Sequence, residues 1–297
     1  MRDIVLVPTY FRPEFLQLCL EHLAEAEGIE NKEIWLLQDY HLGDEHVHKL
    51  EMGWTASVVN AWKNIFNLQF IVGQQHGTAG NTWNVMEGYK RAYNMRPRYV
   101  YLIEDDVFVT PDFFKWHEAV QEDGDYFCTV GCNCSYKKPD KIKPIRDLSA
   151  YYVAAWYASL GVCWKPENMG EFLKHAITTY YNNMDGYITE VFRGSPLGNC
   201  FTEQDGLIER VMLKSGRKVA FPFVSRAYHA GFYGYHRDVP LRPNGFLEAK
   251  IQGLRKLLSD PEVYASPTYN PYNDCERFPE DLTFREWSGI VKKVEEF

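Results

Sequence analysis

Short apolar runs alternate along the first half of the chain with segments in which apolar residues recur every three or four positions. The first run, Asp3–Val7, is rich in β-branched residues, and Pro13–Glu25 after it has the period of a helix that starts at a proline. Further strands are predicted at 33–37, 70–72 and 99–103, and helices follow the turn at 77–80 and Pro111. Strands that alternate with helices in this way indicate a parallel sheet with both faces covered.

The second half of the chain is less regular. Strands are predicted at 127–132, within 151–164 and at 218–221, and helices at 178–192 and 204–214. From about Gly234 the chain is polar and rich in proline, with one helix near 245–258.

Together these patterns predict an α/β fold, a Rossmann-like and mostly parallel sheet flanked by helices. One catalytic domain is predicted over residues 1–233, with a donor-binding half at about 1–110 and an acceptor half at about 111–233. Residues 234–297 are predicted to form an extension that packs on this domain. With 297 residues and 45% hydrophobic composition, the chain is long enough for one large domain with a sizeable core.

Charge and composition narrow the classes of partner. The formal net charge is -8, whereas a protein that binds the phosphate backbone of a nucleic acid usually has a basic face. The net negative charge therefore disfavours a nucleic-acid partner, although an acidic protein can still have a local basic groove. Aromatic residues make up 15% of the chain, which fits either a site that stacks sugars or bases or a surface rich in tyrosine.

Cysteine usage and hydropathy predict a soluble, cytoplasmic protein. The seven cysteines form no regular framework, and the cluster of Cys128, Cys132 and Cys134 lacks the second ligand group of a zinc site, so reduced cysteines are expected. The apolar run at the start of the chain is far too short for a signal peptide. No segment approaches the ~20 apolar residues of a membrane helix.

Three adjacent acids, Glu104, Asp105 and Asp106, directly follow the clearest predicted strand. Adjacent carboxylates repel one another unless they share a cation or water screens them. Hard divalent ions such as Mg²⁺ take oxygen ligands, often one or two carboxylates together with substrate phosphates. The triplet therefore predicts a Mn²⁺ or Mg²⁺ site that bridges a diphosphate, with a solvated acidic loop as the alternative.

Two other polar residues lie where predicted strands end. Arg12 is in the loop after the first strand, where a guanidinium can pair with phosphate or stack on a base. Asp39 ends the second strand, where it can accept hydrogen bonds from a base or a ribose. Ligands of such sheets bind beyond the carboxyl ends of the strands, so Arg12, Asp39 and the acid triplet are expected to converge on one crevice.

The stretch 225–231, after the last predicted strand, adds two basic candidates. His229 is a candidate nitrogen ligand for the same metal, with a structural histidine as the alternative. Arg226 is a candidate for neutralising charge on a leaving diphosphate.

A sugar transfer with inversion needs a carboxylate near the acceptor hydroxyl, distinct from the metal ligands. Asp205 and Glu203 lie at the start of a predicted helix, and Asp185 is a third candidate for this general base. An acid at the start of a helix also serves as an N-terminal cap, which is the structural alternative for each of them.

With these residues in order, the sequence resembles the GT-A glycosyltransferases. It is similar to the inverting β-1,2-N-acetylglucosaminyltransferases of family thirteen and, more loosely, to the family-two transferases. The similarity extends over roughly 4–231, and its most specific part is the Glu-Asp-Asp triplet followed by Pro-Asp-Phe-Phe at 111–114. The other matching stretches are the Arg12 loop, 37–39, 101–103, 159–164 and 222–226.

The resemblance implies roles in binding the donor. Asp106, as the last acid of the triplet, is implied to bind Mn²⁺, with Asp105 and Glu104 near the sugar and the ribose. Asp39 is implied to contact uracil, and Arg12 the nucleotide. Asn84 is assigned to the same donor-binding set.

The resemblance also bears on the general base. The family's base is the second of two adjacent aspartates that open a helix. Here the matching stretch reads Gln204-Asp205-Gly206, which puts Asp205 about one residue out of register. Asp205 is therefore the nearest acid, and Glu203 stays a candidate.

The predicted function is a metal-dependent glycosyltransferase that moves a hexosyl or N-acetylhexosaminyl group, with inversion, to a carbohydrate, glycolipid or other hydroxyl acceptor. The predicted donor is a nucleoside-diphosphate sugar, with UDP as the expected nucleotide. Three alternatives stay open. A glycosyltransferase that acts on modified nucleic-acid bases is disfavoured by the acidic balance. A sugar nucleotidyltransferase is disfavoured because the loop 8–12 lacks glycine. A carbohydrate-binding protein without activity is disfavoured by the intact acids.

Overall fold

The computed structural model describes residues 2–39, 46–72, 80–134, 145–194, 202–231, 243–260 and 282–294. The strands are β1 (Asp3–Thr9), β2 (Lys32–Gln38), β3 (Leu68–Val72), β4 (Val100–Leu102), β5 (Val107–Val109), β6 (Thr129–Val130), β7 (Ala150–Ala154), β8 (Val162–Trp164), β9 (Val219–Pro222), β10 (Ala227–His229) and β11 (Lys292–Lys293). The α-helices are α1 (Pro13–Glu25), α2 (His46–Trp62), α3 (Gly80–Met95), α4 (Phe113–Asp123), α5 (Pro166–Leu173), α6 (Thr178–Asn182), α7 (Met184–Val191), α8 (Gln204–Ser215) and α9 (Leu247–Ser259).

Within these residues the strands form a nine-stranded sheet in the order β11-β7-β9-β6-β8-β4-β1-β2-β3 and a small sheet of β10 with β5. β1 pairs in parallel with both β2 and β4, and β2 pairs in parallel with β3. β8 runs antiparallel to β4 and β6, and β7 antiparallel to β9. The predicted α/β fold, a mostly parallel sheet flanked by helices, is confirmed, and each antiparallel pair includes at least one strand from the second half of the chain.

The hydrophobic core extends over both the parallel and the antiparallel part of the sheet, and its most completely buried strands include β1 and β2. Ile4 to Val7 in β1 and Ile34 to Leu37 in β2 are at most 5% exposed, as expected for strands covered on both faces by helices. α1 begins at Pro13, whose fixed φ suits the first turn of a helix, and it buries Phe15, Leu16 and other apolar side chains. This helix has the predicted bounds.

Several elements differ from the predictions. The helix α2 was not predicted, because Gly53 and the β-branched Thr55, Val58 and Val59 are weak helix formers that blur its period. The segment predicted as one helix at 178–192 is two, α6 and α7, because Asn183 ends the first and caps the second through Gly186. The stretch 151–164 holds two strands rather than one.

Residues near the end of the chain contact the sheet and its helices. In α9, Arg255 forms an ion pair with Glu21 of α1, and β11 pairs in parallel with β7. Among the described residues no helix is long and apolar enough to cross a lipid bilayer. The cytoplasmic location stays a prediction.

The cysteines differ from the expected reduced state. Cys132 is disulfide-bonded, so the expectation is wrong for this residue. Cys19, Cys128, Cys134 and Cys163 are buried and form no disulfide bond. Burial raises the pKa of the Cys128 thiol well above its usual value, which makes this thiol unreactive.

Candidate active site

The three acids lie where the central parallel strands end. Glu104 to Asp106 form the turn between β4 and β5, which is closed by a hydrogen bond from the backbone N–H of Val107 to the carbonyl of Glu104 at 2.9 Å. Asp105 is 2% exposed and Asp106 is 5% exposed, so both carboxylates are removed from bulk water. Buried carboxylates need compensating charge or hydrogen bonds, and the surrounding residues supply both.

Arg12 supplies positive charge to two of the acids. Its Nη2 lies 2.5 Å from Oδ1 of Asp105, and its Nη1 lies 2.6 Å from Oδ2 of Asp106. The guanidinium thus bridges the two carboxylates from the loop that follows β1. The sequence predicted that Arg12 and the triplet converge, and this part of the prediction is confirmed.

The environments of Asp105 and Asp106 differ, and the difference appears in their pKa values. Burial raises the pKa of Asp105 to about 6, against the opposing effects of Arg12 and of a hydrogen bond from Thr9 Oγ1 at 2.9 Å. Burial also acts to raise the pKa of Asp106, but Arg12 and His229 outweigh it and hold that pKa below its usual range. Asp106 is therefore the firmly ionised member of the pair.

His229 is brought to Asp106 by the small sheet. β10 pairs antiparallel with β5, with His229 opposite Val107, and the backbone N–H of Ala230 donates to the carbonyl of Asp106 at 2.8 Å. As a result, Nε2 of His229 lies 3.5 Å from Oδ2 of Asp106. The histidine and the last acid of the triplet, predicted as metal ligands, are neighbours.

The residues around Asp106 fit a divalent cation held by two protein ligands. Oδ1 of Asp106 is buried and has no hydrogen-bond partner among the described residues, which leaves a carboxylate oxygen available as a ligand. Gly231 keeps space beside the other oxygen, because a Cβ there would lie 2.6 Å from Asp106 Oδ2 and 2.7 Å from His229 Nε2. In the described part of the chain no group of three or more acidic, histidine or cysteine side chains is arranged around one metal position. Further ligands would have to come from substrate or water.

Asp205 belongs to the same acidic region. Burial raises the pKa of Glu104 well above its usual value, and the negative charges of Asp106, Asp205 and Asp105 raise it further. Asp205 lies in the first turn of α8, and its Oδ2 accepts a hydrogen bond from Ser159 Oγ at 2.9 Å. Ser159 thereby fixes the orientation of this carboxylate.

A buried contact between two helices holds the start of α8. Thr82 Oγ1 in α3 donates to Gln204 Oε1 at 2.6 Å, and both side chains are buried. Since Gln204 directly precedes Asp205, the contact fixes the start of the helix that carries the candidate base.

The other two candidate bases have less specific surroundings. Glu203 is exposed at the N-cap position of α8, where its side chain forms no capping hydrogen bond. Asp185 is exposed in the first turn of α7. An acid in the first turn favours a helix through its dipole, so this location alone accounts for Asp185.

Two residues predicted to bind the donor lie at the end of β2. The backbone N–H of Asp39 donates to the carbonyl of Thr9 at 2.8 Å, which joins this strand end to that of β1. A Cβ on Gly80, at the start of α3, would lie 3.6 Å from Asp39 Oδ2. Asn84 is 5% exposed, and its Nδ2 donates to the carbonyl of Leu37 at 2.9 Å, which ties α3 to β2.

Arg226 lies in the interior of the protein rather than among the acids. Its side chain is fully buried, and Nε lies 2.9 Å from Oδ2 of Asp112. Nη1 and Nη2 donate to the carbonyls of Val224 and Leu148, each at 2.5 Å. Because protein acceptors occupy this guanidinium, the donor site proposed below does not include Arg226.

Three residues that support the site were not predicted. Thr9 and Ser159 each orient an acid, but hydroxyl side chains are common and carry no signal without a known fold. Gly231 lacks a side chain where one would fill the space between Asp106 and His229. Its place two residues after His229 is the only sequence signal for it.

Comparisons with known proteins give a weak likeness. No protein-family model and no curated protein matches this chain. Among solved structures, S. aureus TarS 1-349 is 13% identical with a TM-score of 0.48, over 78% of this chain and 61% of that one. TarS 1-349 in complex with UDP-GlcNAc is 14% identical with a TM-score of 0.49, over 89% of this chain and 69% of that one.

A structure from another organism gives a similar result. The mannosyltransferase PcManGT from Pyrobaculum calidifontis, in complex with GDP-Man and Mn²⁺, is 14% identical with a TM-score of 0.43, over 90% of this chain and 72% of that one. At such similarity no ligand or activity of these proteins is assigned to the chain. The resemblance to family thirteen and family two stays a prediction.

Proposed function

We propose that the chain is a metal-dependent glycosyltransferase that transfers a sugar from a nucleoside-diphosphate donor, a UDP-sugar, to an acceptor hydroxyl with inversion. The observation that carries the proposal is the arrangement of charges beyond the ends of the parallel strands: Arg12 bridges the buried carboxylates of Asp105 and Asp106, and Nε2 of His229 lies 3.5 Å from Oδ2 of Asp106. A separate carboxylate, that of Asp205, is oriented by Ser159 at the start of α8 and can serve as general base. A solvated acidic loop, the alternative for the triplet, does not account for the burial of Asp105 and Asp106.

The donor site is proposed to lie beyond the ends of β1, β2 and β4. Asp39 would bind the base or ribose, Arg12 the nucleotide phosphates, and Asp105 and Glu104 the ribose and sugar. Support comes from the hydrogen bond between the ends of β1 and β2 and from the bridge that Arg12 makes to Asp105 and Asp106. Ligands of parallel sheets bind at this edge.

Asp106 and His229 are proposed to hold Mn²⁺ or Mg²⁺. When bound, such an ion offsets negative charge on the leaving diphosphate. The low pKa of Asp106 keeps its carboxylate ionised, as an oxygen ligand must be.

Asp205 is proposed as the general base. Its carboxylate takes the proton of the acceptor hydroxyl while the acceptor oxygen bonds to the anomeric carbon. The bond from that carbon to the diphosphate oxygen breaks, and the nucleoside diphosphate leaves with the electron pair. The hydrogen bond from Ser159 orients Asp205 and supports it over Glu203 and Asp185, which are exposed.

The domain boundaries also remain part of the proposal. We propose a catalytic unit over 1–233, with donor and acceptor halves that meet near 110, and an extension over 234–297 that packs on it. The ion pair of Arg255 with Glu21 supports the packing of α9.

A product assay tests the function. The protein is incubated with Mn²⁺, a panel of nucleotide-sugars and candidate hydroxyl acceptors, and the release of nucleoside diphosphate is measured. We expect release from a UDP-sugar by the unchanged protein, no release by Asp106→Ala, and full release by the control Asp185→Asn, which alters an exposed acid. Undiminished release by Asp106→Ala contradicts the metal role, and release of pyrophosphate instead indicates a nucleotidyltransferase.

A further inference from the structure

A cavity of about 290 Å³ lies between α2 and the start of α9, outside the site described above. Leu50, Glu51 and Trp54 line it from α2, and Pro243 and Lys250 from the other side. Its volume is near the lower end of the range for small-molecule sites, which suits a ligand of one ring rather than a nucleotide.

A buried ion pair forms part of the cavity wall. Lys250 Nζ lies 2.6 Å from Oε1 of Glu51, and the two residues are 7% and 1% exposed. Taking both charges out of water costs about as much as their attraction returns, so such a pair adds little net stability. It does give the cavity a hydrogen-bond acceptor and donors side by side.

The rest of the cavity is aromatic and apolar. Lys250 Nζ lies 5.6 Å from the centroid of the Trp54 ring. Phe246, which is 81% exposed next to the cavity, has its ring centroid 6.5 Å from that of Trp54 at an angle of 68°. Rings at this angle cannot enclose a flat base between parallel faces, whereas a single Trp face beside polar groups suits a sugar ring with an apolar C–H face.

We propose that this cavity binds one neutral sugar residue of a glycan. The ring would lie against Trp54 and Leu50, and neighbouring hydroxyls would donate to Glu51 and accept from Lys250. A neutral ligand needs no counter-ion at this site, because Glu51 and Lys250 already pair with each other.

The cavity is separate from the proposed transfer site. Right-handed crossovers put α1 and α2 on one face of the sheet, and α3, whose connection returns across β1, on the opposite face. α9 packs on α1, whereas α8, which carries Asp205, packs on α3 and α5. The cavity therefore binds a sugar other than the one that Asp205 would activate, such as a second residue of the same glycan.

Fluorine NMR of the full chain tests the proposal. All eight tryptophans are labelled as 5-fluorotryptophan, and the Trp54 signal is assigned as the one absent from Trp54→Phe. Glucose, galactose, mannose and N-acetylglucosamine are added without nucleotide or metal. We expect at least one sugar to shift the Trp54 signal in a saturable way.

Variants separate this site from others. The double variant Glu51→Gln/Lys250→Met should lower the affinity for the sugar roughly tenfold or more, because two hydrogen bonds to the sugar are lost. Its matched control, Glu248→Gln/Lys256→Met, changes two exposed charges of α9 and should leave the affinity for the sugar unchanged. Asp106→Asn should also leave it unchanged. Uridine is titrated for comparison. The proposal is overturned if no sugar shifts the Trp54 signal, if a sugar shifts it equally in the Glu51/Lys250 variant, or if uridine shifts it and no sugar does. Because no nucleotide or metal is present, each of these results is independent of the proposed transferase activity.

Discussion

His229 Nε2 lies 3.5 Å from Oδ2 of Asp106, although the two residues come from opposite halves of the chain. The contact depends on three residue pairs between β5 and β10. Asp106 follows β4 through a tight turn, so the main sheet positions the acid and the small sheet positions the histidine. The proposed cation site therefore depends on the register of a very short strand pair.

Gly231→Ala should weaken cation binding without unfolding the protein. The added Cβ would lie 2.6 Å from Asp106 Oδ2, and relief of such overlap costs ~1–3 kcal/mol. We expect Mn²⁺ affinity, measured by titration calorimetry, to fall about tenfold or more. Gly53→Ala is the matched control, since a Cβ there meets nothing within 4 Å. Equal Mn²⁺ affinity in both variants argues against a cation beside Gly231.

Asp205→Asn should remove the general base and keep the donor site. We expect kcat for transfer to fall roughly 10²–10⁴-fold, while the affinity for the donor stays unchanged. Glu203→Gln, two residues before Asp205 and exposed, should retain nearly full kcat. If Glu203→Gln loses the activity and Asp205→Asn keeps it, the base is Glu203 instead.

Arg226→Met should destabilise the fold through the charge it leaves behind. Asp112 and Arg226 are both fully buried, and removing one partner of such a pair costs ~3–5 kcal/mol. Urea unfolding should show this loss, whereas Arg255→Met, which breaks a largely exposed pair with Glu21, should cost less than ~1 kcal/mol. Equal effects would mean that Arg226 is not the structural residue that its contacts indicate.

His175 should make the protein less stable in acid. Burial lowers its pKa from 6.5 to about 4, with further lowering by Lys174 and Lys214. The folded state thus binds a proton at His175 less readily than the unfolded state. The contribution of the neutral His175 to the free energy of unfolding is therefore fully present above pH 6.5 and is lost as the pH falls towards 4. After discounting for partial exposure, the loss is on the order of 1–2 kcal/mol. Urea unfolding of His175→Gln should lack this component, and an unchanged pH dependence would contradict it.

Part of the fold could be predicted because its signals are local. β1 and β2 are continuous apolar runs and α1 has a clear helical period. The acids directly follow a buried strand, so their place at the carboxyl edge follows from the parallel sheet. The convergence of Arg12 on Asp105 and Asp106 follows from the same geometry.

Other features depend on long-range pairing that no local pattern carries. β5 and β10 are three residues each, too short for a period, yet they bring His229 to Asp106. The hydrogen bond from Ser159 to Asp205 depends on how the loop before β8 meets α8. Arg226 was predicted to neutralise the leaving diphosphate because it is close to His229 in sequence. It belongs instead to a buried ion pair with Asp112.

A thermal-shift measurement with UDP tests whether Asp106 belongs to a cation-dependent donor site. A ligand that binds only the folded state raises the melting temperature, and at about 100 times its Kd it adds ~2.7 kcal/mol of stability. We predict that UDP with Mn²⁺ raises the melting temperature of the unchanged protein, and that EDTA or Asp106→Asn abolishes the rise. A rise of equal size in EDTA or in Asp106→Asn would contradict a cation-dependent donor site at Asp106.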